Sequence, residues 1–180
     1  MKIWPKSLAS CTFAPMYTII AATNRKGSNT LKVAKQYQSF FEEAGIEAAL
    51  FSLEEFSSFT RDDAFEQQEQ KYLVPTSKYV FVMPEYNGSF PGIFKLMMDL
   101  SNLAVSWNHK KVMLVGVSSG RAGNLRGIDI MTNMCHYMKM NVYYHKLPLS
   151  SITNELDGDR FSNPTTIEVI KSQINGYINY

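Results

Sequence analysis

The chain has 180 residues, of which 45% are hydrophobic and 19% charged, and this fits one domain built around one substantial core. A formal net charge of +2 is too small to argue for nucleic acid or an anionic membrane surface as a partner. The cysteines, Cys11 and Cys135, form no CxxC pair, and His109, His136 and His145 show no HxxxH or HxH spacing, so neither a disulfide framework nor a metal site is expected.

In chain order, Met1 to Pro15 fits neither helix nor strand period and has no apolar core of the kind a signal peptide carries. It is either an extension outside the fold or an overcalled start, and the domain proper is expected over residues 16–180. No apolar run is long enough to cross a bilayer, so the expected location is cytoplasmic. Tyr17 to Ala22 reads as the first strand. Leu31, Ala34, Tyr37, Phe41 and Ala44 recur at helical spacing, with Gly45 as the stop. Glu47 to Phe51 reads as a second strand. The polar stretch from Ser52 to Thr76 reads as a loop with a short helix around Phe65 to Tyr72.

Tyr79 to Met83 is a fully apolar third strand, and Pro91 opens a helix carrying Ile93, Phe94, Met97, Met98 and Leu100. Val112 to Val117 is a fourth strand, followed by a helix through Leu125, Ile128, Met131, Cys135 and Met138. Val142 to Tyr144 gives a short fifth strand. A last helix runs through Ile167, Ile170, Ile174 and Tyr177. Strands alternating with helices predict a parallel sheet covered on both faces. Ligands of such sheets sit beyond the carboxyl ends of the strands, where the strand order reverses. The loops after the first, third and fourth strands are therefore the places to look for chemistry.

The first of these loops reads Thr23-Asn24-Arg25-Lys26-Gly27-Ser28-Asn29-Thr30. Free N–H groups at a helix start attract phosphate, the hydroxyl and amide side chains add neutral donors, and Arg25 adds a planar cation. A polar turn with a Ser/Asn helix cap is the alternative. No GxGxxG and no GxxxxGK[ST] is present, which disfavours a dinucleotide fold of Rossmann type and a P-loop. A single terminal phosphate points to a mononucleotide such as flavin mononucleotide (FMN).

The second loop, Pro84-Glu85-Tyr86-Asn87-Gly88-Ser89-Phe90-Pro91-Gly92, combines stiff backbone, aromatic surface and flexible donors. A flat heterocycle with polar edges needs such a combination. The third loop, Ser118-Ser119-Gly120-Arg121-Ala122-Gly123-Asn124, offers backbone donors again. Arg121 reads either as a contact to a cofactor or as a solvated surface arginine.

Taken together, the TNRKGSNT, PEYNGSFPGIFK and SSGRAGNLRG stretches resemble the NADPH-dependent FMN reductases, which include quinone, azo-dye and chromate reductases. The resemblance covers Tyr17 to about Tyr180. It implies a flavodoxin-like three-layer α/β sandwich with a five-stranded parallel sheet in the order 2-1-3-4-5. It also implies that Thr23, Arg25, Ser28, Asn29 and Thr30 hold the FMN phosphate. Pro84, Glu85, Tyr86, Asn87, Gly88 and Ser89 would border the isoalloxazine ring, with Ser118, Gly120 and Gly123 near its other edge. The electron donor would be NADPH or NADH, the acceptor a flavin, quinone or similar small molecule, and the assembly a homodimer or homotetramer. Departures lie at Leu96-Met97-Met98-Asp99, at Ala22 and at Asn24, and they bear on the nicotinamide and acceptor pocket more than on the flavin.

The expected mechanism is ping-pong hydride transfer with no catalytic side chain, because the flavin carries the chemistry. An electron carrier resembling flavodoxin is the runner-up, and a flavin-free relative that kept only the fold is a third possibility. The methionines at helical spacing read as core packing, or more sharply as an adaptable subunit interface. Trp107 reads either as an anchor for its own helix or as a residue reaching a neighbour's site, and Glu54-Glu55 as a solvated face.

Overall fold

The computed structural model describes residues 16–56 and 59–180, so Met1 to Pro15 lies outside the described residues. Strand β1 (Tyr17–Ala21) leads into helix α1 (Asn29–Glu43), then β2 (Ala48–Ser52) and a short 3₁₀ turn (Leu53–Glu55). Helix α2 (Asp63–Gln68) continues as a π-helical turn (Glu69–Leu73) into β3 (Lys78–Pro84). Helices α3 (Gly92–Leu100) and α4 (Leu103–Ser106) precede β4 (Lys111–Val117) and α5 (Leu125–Tyr137). Short elements follow: β5 (Asn141–Val142), β6 (Leu147–Leu149), α6 (Ile152–Glu155), β7 (Leu156–Asp157) and β8 (Arg160–Phe161). Helix α7 (Pro164–Asn179) ends the chain.

The main sheet is parallel in the order β2-β1-β3-β4-β5, with β6 also paired to β4, and it has the flavodoxin-like topology. Ile19 is flanked by the partly buried Leu50 on β2 and the fully buried Val80 on β3, and is itself fully enclosed. Successive strand residues face opposite sides, so each strand feeds two cores. Ile20, Phe81 and Leu114 pack with Phe94, Met97, Ile128 and Met131 of α3 and α5. Ile19, Val80 and Met113 pack with Val33, Tyr37 and Phe41 of α1 and with Ile170, Ile174 and Tyr177 of α7.

Helix α1 stops where Gly45 stands in the left-handed region (φ 77°). Ile46 N–H reaches Phe41 O and Gly45 N–H reaches Glu42 O, the paired bonds of a Schellman cap.

The edge strand differs from the single strand expected at Val142 to Tyr144. Val112 faces Val142 and Val115 faces Leu147, so the edge advances five residues while β4 advances three. The extra residues carry Tyr143 inward, where it is buried against Tyr177, and leave Tyr144 outside. The polar stretch before β3 also holds more structure than its pattern announced. Glu69 is buried in the π turn, accepts from Asn102 N–H and from Ser106 Oγ–H at 2.8 Å, and pairs with Arg61 at 2.6 Å. Trp107 is fully buried against Tyr79 and Phe81 and donates Nε1–H to Ser101 Oγ at 2.6 Å. It anchors its own segment and cannot reach a neighbour. Among the described residues no helix is long and apolar enough to cross a membrane.

Candidate functional site

The chain leaves β1 towards α1 on one face of the sheet and leaves β3 towards α3 on the other. The two loops diverge and leave a crevice above the carboxyl ends of β1 and β3. A cleft of about 260 Å³ lies there, closed on its far side by the loop after β4.

Arg25, Ser28, Asn29 and Thr30 line this cleft from the first loop. Ser28 caps α1 by accepting Leu31 N–H at 3.2 Å. The N–H groups of Ser28, Asn29 and Thr30 have no partner among the described residues. An unpaired helix start beside Arg25 and Lys26 is the donor set a phosphomonoester takes. Thr23 lies deeper and is buried, and its Oγ1 is 2.6 Å from Tyr86 Oη. Gly27, with φ 64°, donates its N–H to Glu54 Oε1 at 2.6 Å. Glu54 thus fixes the loop and is no mere solvated residue.

Pro84, Glu85 and Tyr86 line the cleft from the second loop. Glu85 N–H is bonded to Val117 O at 2.9 Å, which joins this loop to β4. Tyr86 and Ser89 exchange N–H···O bonds of 2.8 and 3.0 Å around a two-residue turn. Asn87 (φ 52°) and Gly88 (φ 75°) both sit in the left-handed region, as a type I′ turn requires. Their own N–H groups are unpartnered among the described residues. The Tyr86 ring carries the Arg25 guanidinium at 4.3 Å, so the two loops are stacked together as well as hydrogen-bonded.

Ser118 lines the cleft from the third loop, with Ser119 beside it. Ser118 Oγ–H donates to Gly120 O at 2.9 Å and its oxygen accepts Gly123 N–H at 3.0 Å. The Gly123 amide is therefore used inside the loop and is not free for a ring edge. Gly123 is needed for packing instead, because a Cβ there would fall 2.6 Å from Pro148. Gly120 and Arg121 are exposed outside the lining, and their N–H groups are free. Lys26, Val117 and Ile152 also line the cleft and were not singled out by motif. Ile152 arrives because its N–H bonds Ser118 O at 3.0 Å, a pairing across 34 residues that no local pattern announces.

Among the described residues no cluster of His, Cys, Asp and Glu could hold a metal. Cys135 is buried, and burial pushes its thiol up to about 12, which makes it unreactive near neutrality.

Fold and loops together define a protein of the flavodoxin-like class, and comparison with solved structures agrees. FerB, a flavoenzyme NAD(P)H:(acceptor) oxidoreductase from Paracoccus denitrificans, superposes with a TM-score of 0.76 at 17% identity, over 93% of this chain and 97% of that one. An apo NADH:FMN oxidoreductase, EMOB, superposes at 0.74 with 10% identity, over 92% and 89% of the two chains. A flavodoxin from the domain Archaea gives 0.55 at 13% identity, over 92% and 100%. No curated protein sequence matches the chain. The profile of the NADPH-dependent FMN reductases matches residues 16–153, and the chain belongs to that family. It is an FMN-dependent oxidoreductase with NAD(P)H as electron donor.

Proposed function

We propose that the cleft over β1, β3 and β4 is the FMN site, and that NAD(P)H and a small acceptor, a flavin, quinone or similar molecule, use it in turn by a ping-pong mechanism. The observation that carries this is the unpaired helix start of Ser28, Asn29 and Thr30, which shares the cleft lining with Pro84, Glu85 and Tyr86. Tyr86 ties the two loops together, and the Asn87–Gly88 turn, with unpartnered amides of its own, follows it just outside the lining. Held by these residues, FMN would supply the hydride- and electron-transfer chemistry.

The residues of the chain bind and orient. Thr23, Arg25, Ser28, Asn29 and Thr30 hold the phosphate. Pro84, Glu85, Tyr86, Asn87, Gly88 and Ser89 border the ring, with Ser118, Gly120 and Arg121 across from them. Gly123 shapes that far loop from behind. No side chain acts as an essential acid or base. Parallel lines in double-reciprocal plots over a panel of acceptors, run with both nicotinamides, support this reading. Intersecting lines require a ternary complex and overturn the shared site.

The same reading includes a homodimer or homotetramer with the helix after the ring loop at or near the contact. Helix α3 and α5 frame a mostly apolar groove of about 630 Å³ that includes Met98, Leu103, Ile130 and Met134. Leu103 and Ile130 are exposed there. Light scattering at micromolar concentration is expected to give at least a dimer mass, and a monomer would overturn the assembly.

A further inference from the structure

Asn124 ends the third loop in the left-handed region (φ 63°) and is completely buried. Its Nδ2 donates to two backbone carbonyls, Met83 O and Pro84 O, each at 3.0 Å. Its backbone N–H donates to Glu85 Oε2 at 3.3 Å. All three acceptors belong to the last residues of β3 and the first of the ring loop. One asparagine therefore fastens the exit of β3 to the start of α5. Two carbonyl acceptors fix which end of the amide faces them, since only the NH₂ can donate. That leaves Oδ1 buried without a donor among the described residues.

The surroundings are shaped to this side chain. A Cβ on Gly127 would fall 2.2 Å from Asn124 Oδ1 and 2.7 Å from Nδ2. A Cβ on Gly116 would fall 3.1 Å from Asn124 Cβ and 2.1 Å from Gly123 O. Glycine at both positions leaves room for the amide and for the loop backbone behind it.

We infer that Asn124 is a positioning residue, whose amide sets the separation of the two loops that bracket the flavin ring. The inference rests on the reading of the cleft as the FMN site. Asn124 touches no part of the phosphate loop, so its action is confined to the ring end.

The test compares the dissociation constants of FMN and riboflavin for the full chain and for two variants, Asn124→Gly and Gly127→Ala. Glycine accepts the backbone conformation of Asn124 while deleting the amide. Alanine at 127 improves helix propensity while its methyl group displaces the amide. Both variants are expected to weaken FMN and riboflavin by the same factor, about tenfold or more. Circular dichroism should show intact secondary structure. The equal loss is the signature, because a general loss of fold would also remove the preference that the phosphate confers. If Asn124→Gly does not fold, Gly127→Ala decides alone. Folded variants that bind both flavins within about twofold of the parent overturn the inference, as does a loss confined to FMN. A parent chain that binds neither flavin overturns the site reading itself, and the inference falls with it.

Discussion

Replacing Ser28 by Asp separates the phosphate subsite from the stability of the helix it caps. Ser28 Oγ accepts Leu31 N–H at 3.2 Å and lines the cleft beside the free amides of Asn29 and Thr30. Asp caps helices as well as Ser does, and its charge suits the positive end of the helix dipole. The unliganded variant should therefore melt at the parent temperature or slightly above. The same carboxylate would stand about 4–5 Å from a bound phosphate of charge near −2. At an effective dielectric between that of a protein surface and that of water, each unit pair at this range costs about 1–4 kcal/mol. Two such pairs sum to about 2–8 kcal/mol, so FMN affinity should fall by about 30-fold or more, with the loss shrinking as salt rises. Riboflavin has no phosphate and should bind within about twofold of the parent. Flavin fluorescence titrations at two salt concentrations read both numbers. An unchanged FMN dissociation constant, or equal losses for FMN and riboflavin, would falsify the phosphate assignment.

Gly88→Val should lower flavin affinity and stability through the backbone: its Cβ would make only ordinary contacts with the Arg126 side chain, at 3.6 and 3.9 Å, but φ 75° is strained for a β-branched residue by about 1–2 kcal/mol. Full flavin occupancy with an unshifted melting temperature would contradict this. Each of His109→Ala, His136→Ala and His145→Ala should keep activity within about tenfold, below the roughly 10²–10⁴-fold that a general acid or base contributes; a hundredfold loss at equal FMN loading would reveal a missed proton-transfer residue. Burial pushes the Glu69 carboxyl up, but Arg61, Asn102 N–H and Ser106 Oγ–H outweigh it and hold it below the ordinary value of 4.5. Its contribution is thus complete above that value and disappears as pH falls through the lower folded one. Melting curves of Glu69→Gln should show a lower melting temperature at neutral pH and a shallower decline below pH 4.5 than the parent, and an identical acid profile would remove Glu69 from the account.

Much of the fold was legible because its signals are local. The apolar runs at Ile19, Val80 and Leu114 mark strands buried on both faces, and the stop at Gly45 is a single residue whose backbone freedom ends a helix. The three loops were legible because unusual residues crowd into them, and the structure brings Arg25, Ser28, Asn29 and Thr30 together with Pro84, Glu85, Tyr86 and Ser118 around one cleft, while Asn87, Gly88 and Ser89 stay outside its lining. What escaped depends on partners distant in sequence. Glu69 reads as one more polar residue until Asn102 and Ser106 meet it. Glu54 reads as a surface acid until Gly27 donates to it. Gly123 and Asn124 read as loop residues like their neighbours, yet Pro148 excludes a side chain from one and the end of β3 holds the other. The split of the edge strand escaped because two extra residues between Val142 and Leu147 alter register without altering composition.

The contact between Arg25 and Tyr86 links these threads to binding. A guanidinium on an exposed aromatic face is worth about 0.5–1 kcal/mol. Hydrogen bonds from a cation to a phosphate are worth about 1.5–3 kcal/mol each, and a guanidinium makes them in pairs. An anion at the helix start therefore outcompetes the ring, and the Arg25 side chain should leave Tyr86 when phosphate arrives. Tyr86 itself stays, held by Thr23 and by the turn that ends at Ser89. The stacked arrangement thus keeps the cation next to its eventual ligand while shielding it from other contacts. Side-chain protons of Arg25 should carry the upfield ring-current shift of a stacked group in the ligand-free protein. They should lose it when inorganic phosphate or FMN is added, and not when riboflavin is added. A ring-current shift that survives saturation with FMN would mean that Arg25 contributes nothing to the phosphate, leaving it to Thr23, Ser28, Asn29 and Thr30 and to the charge of Lys26.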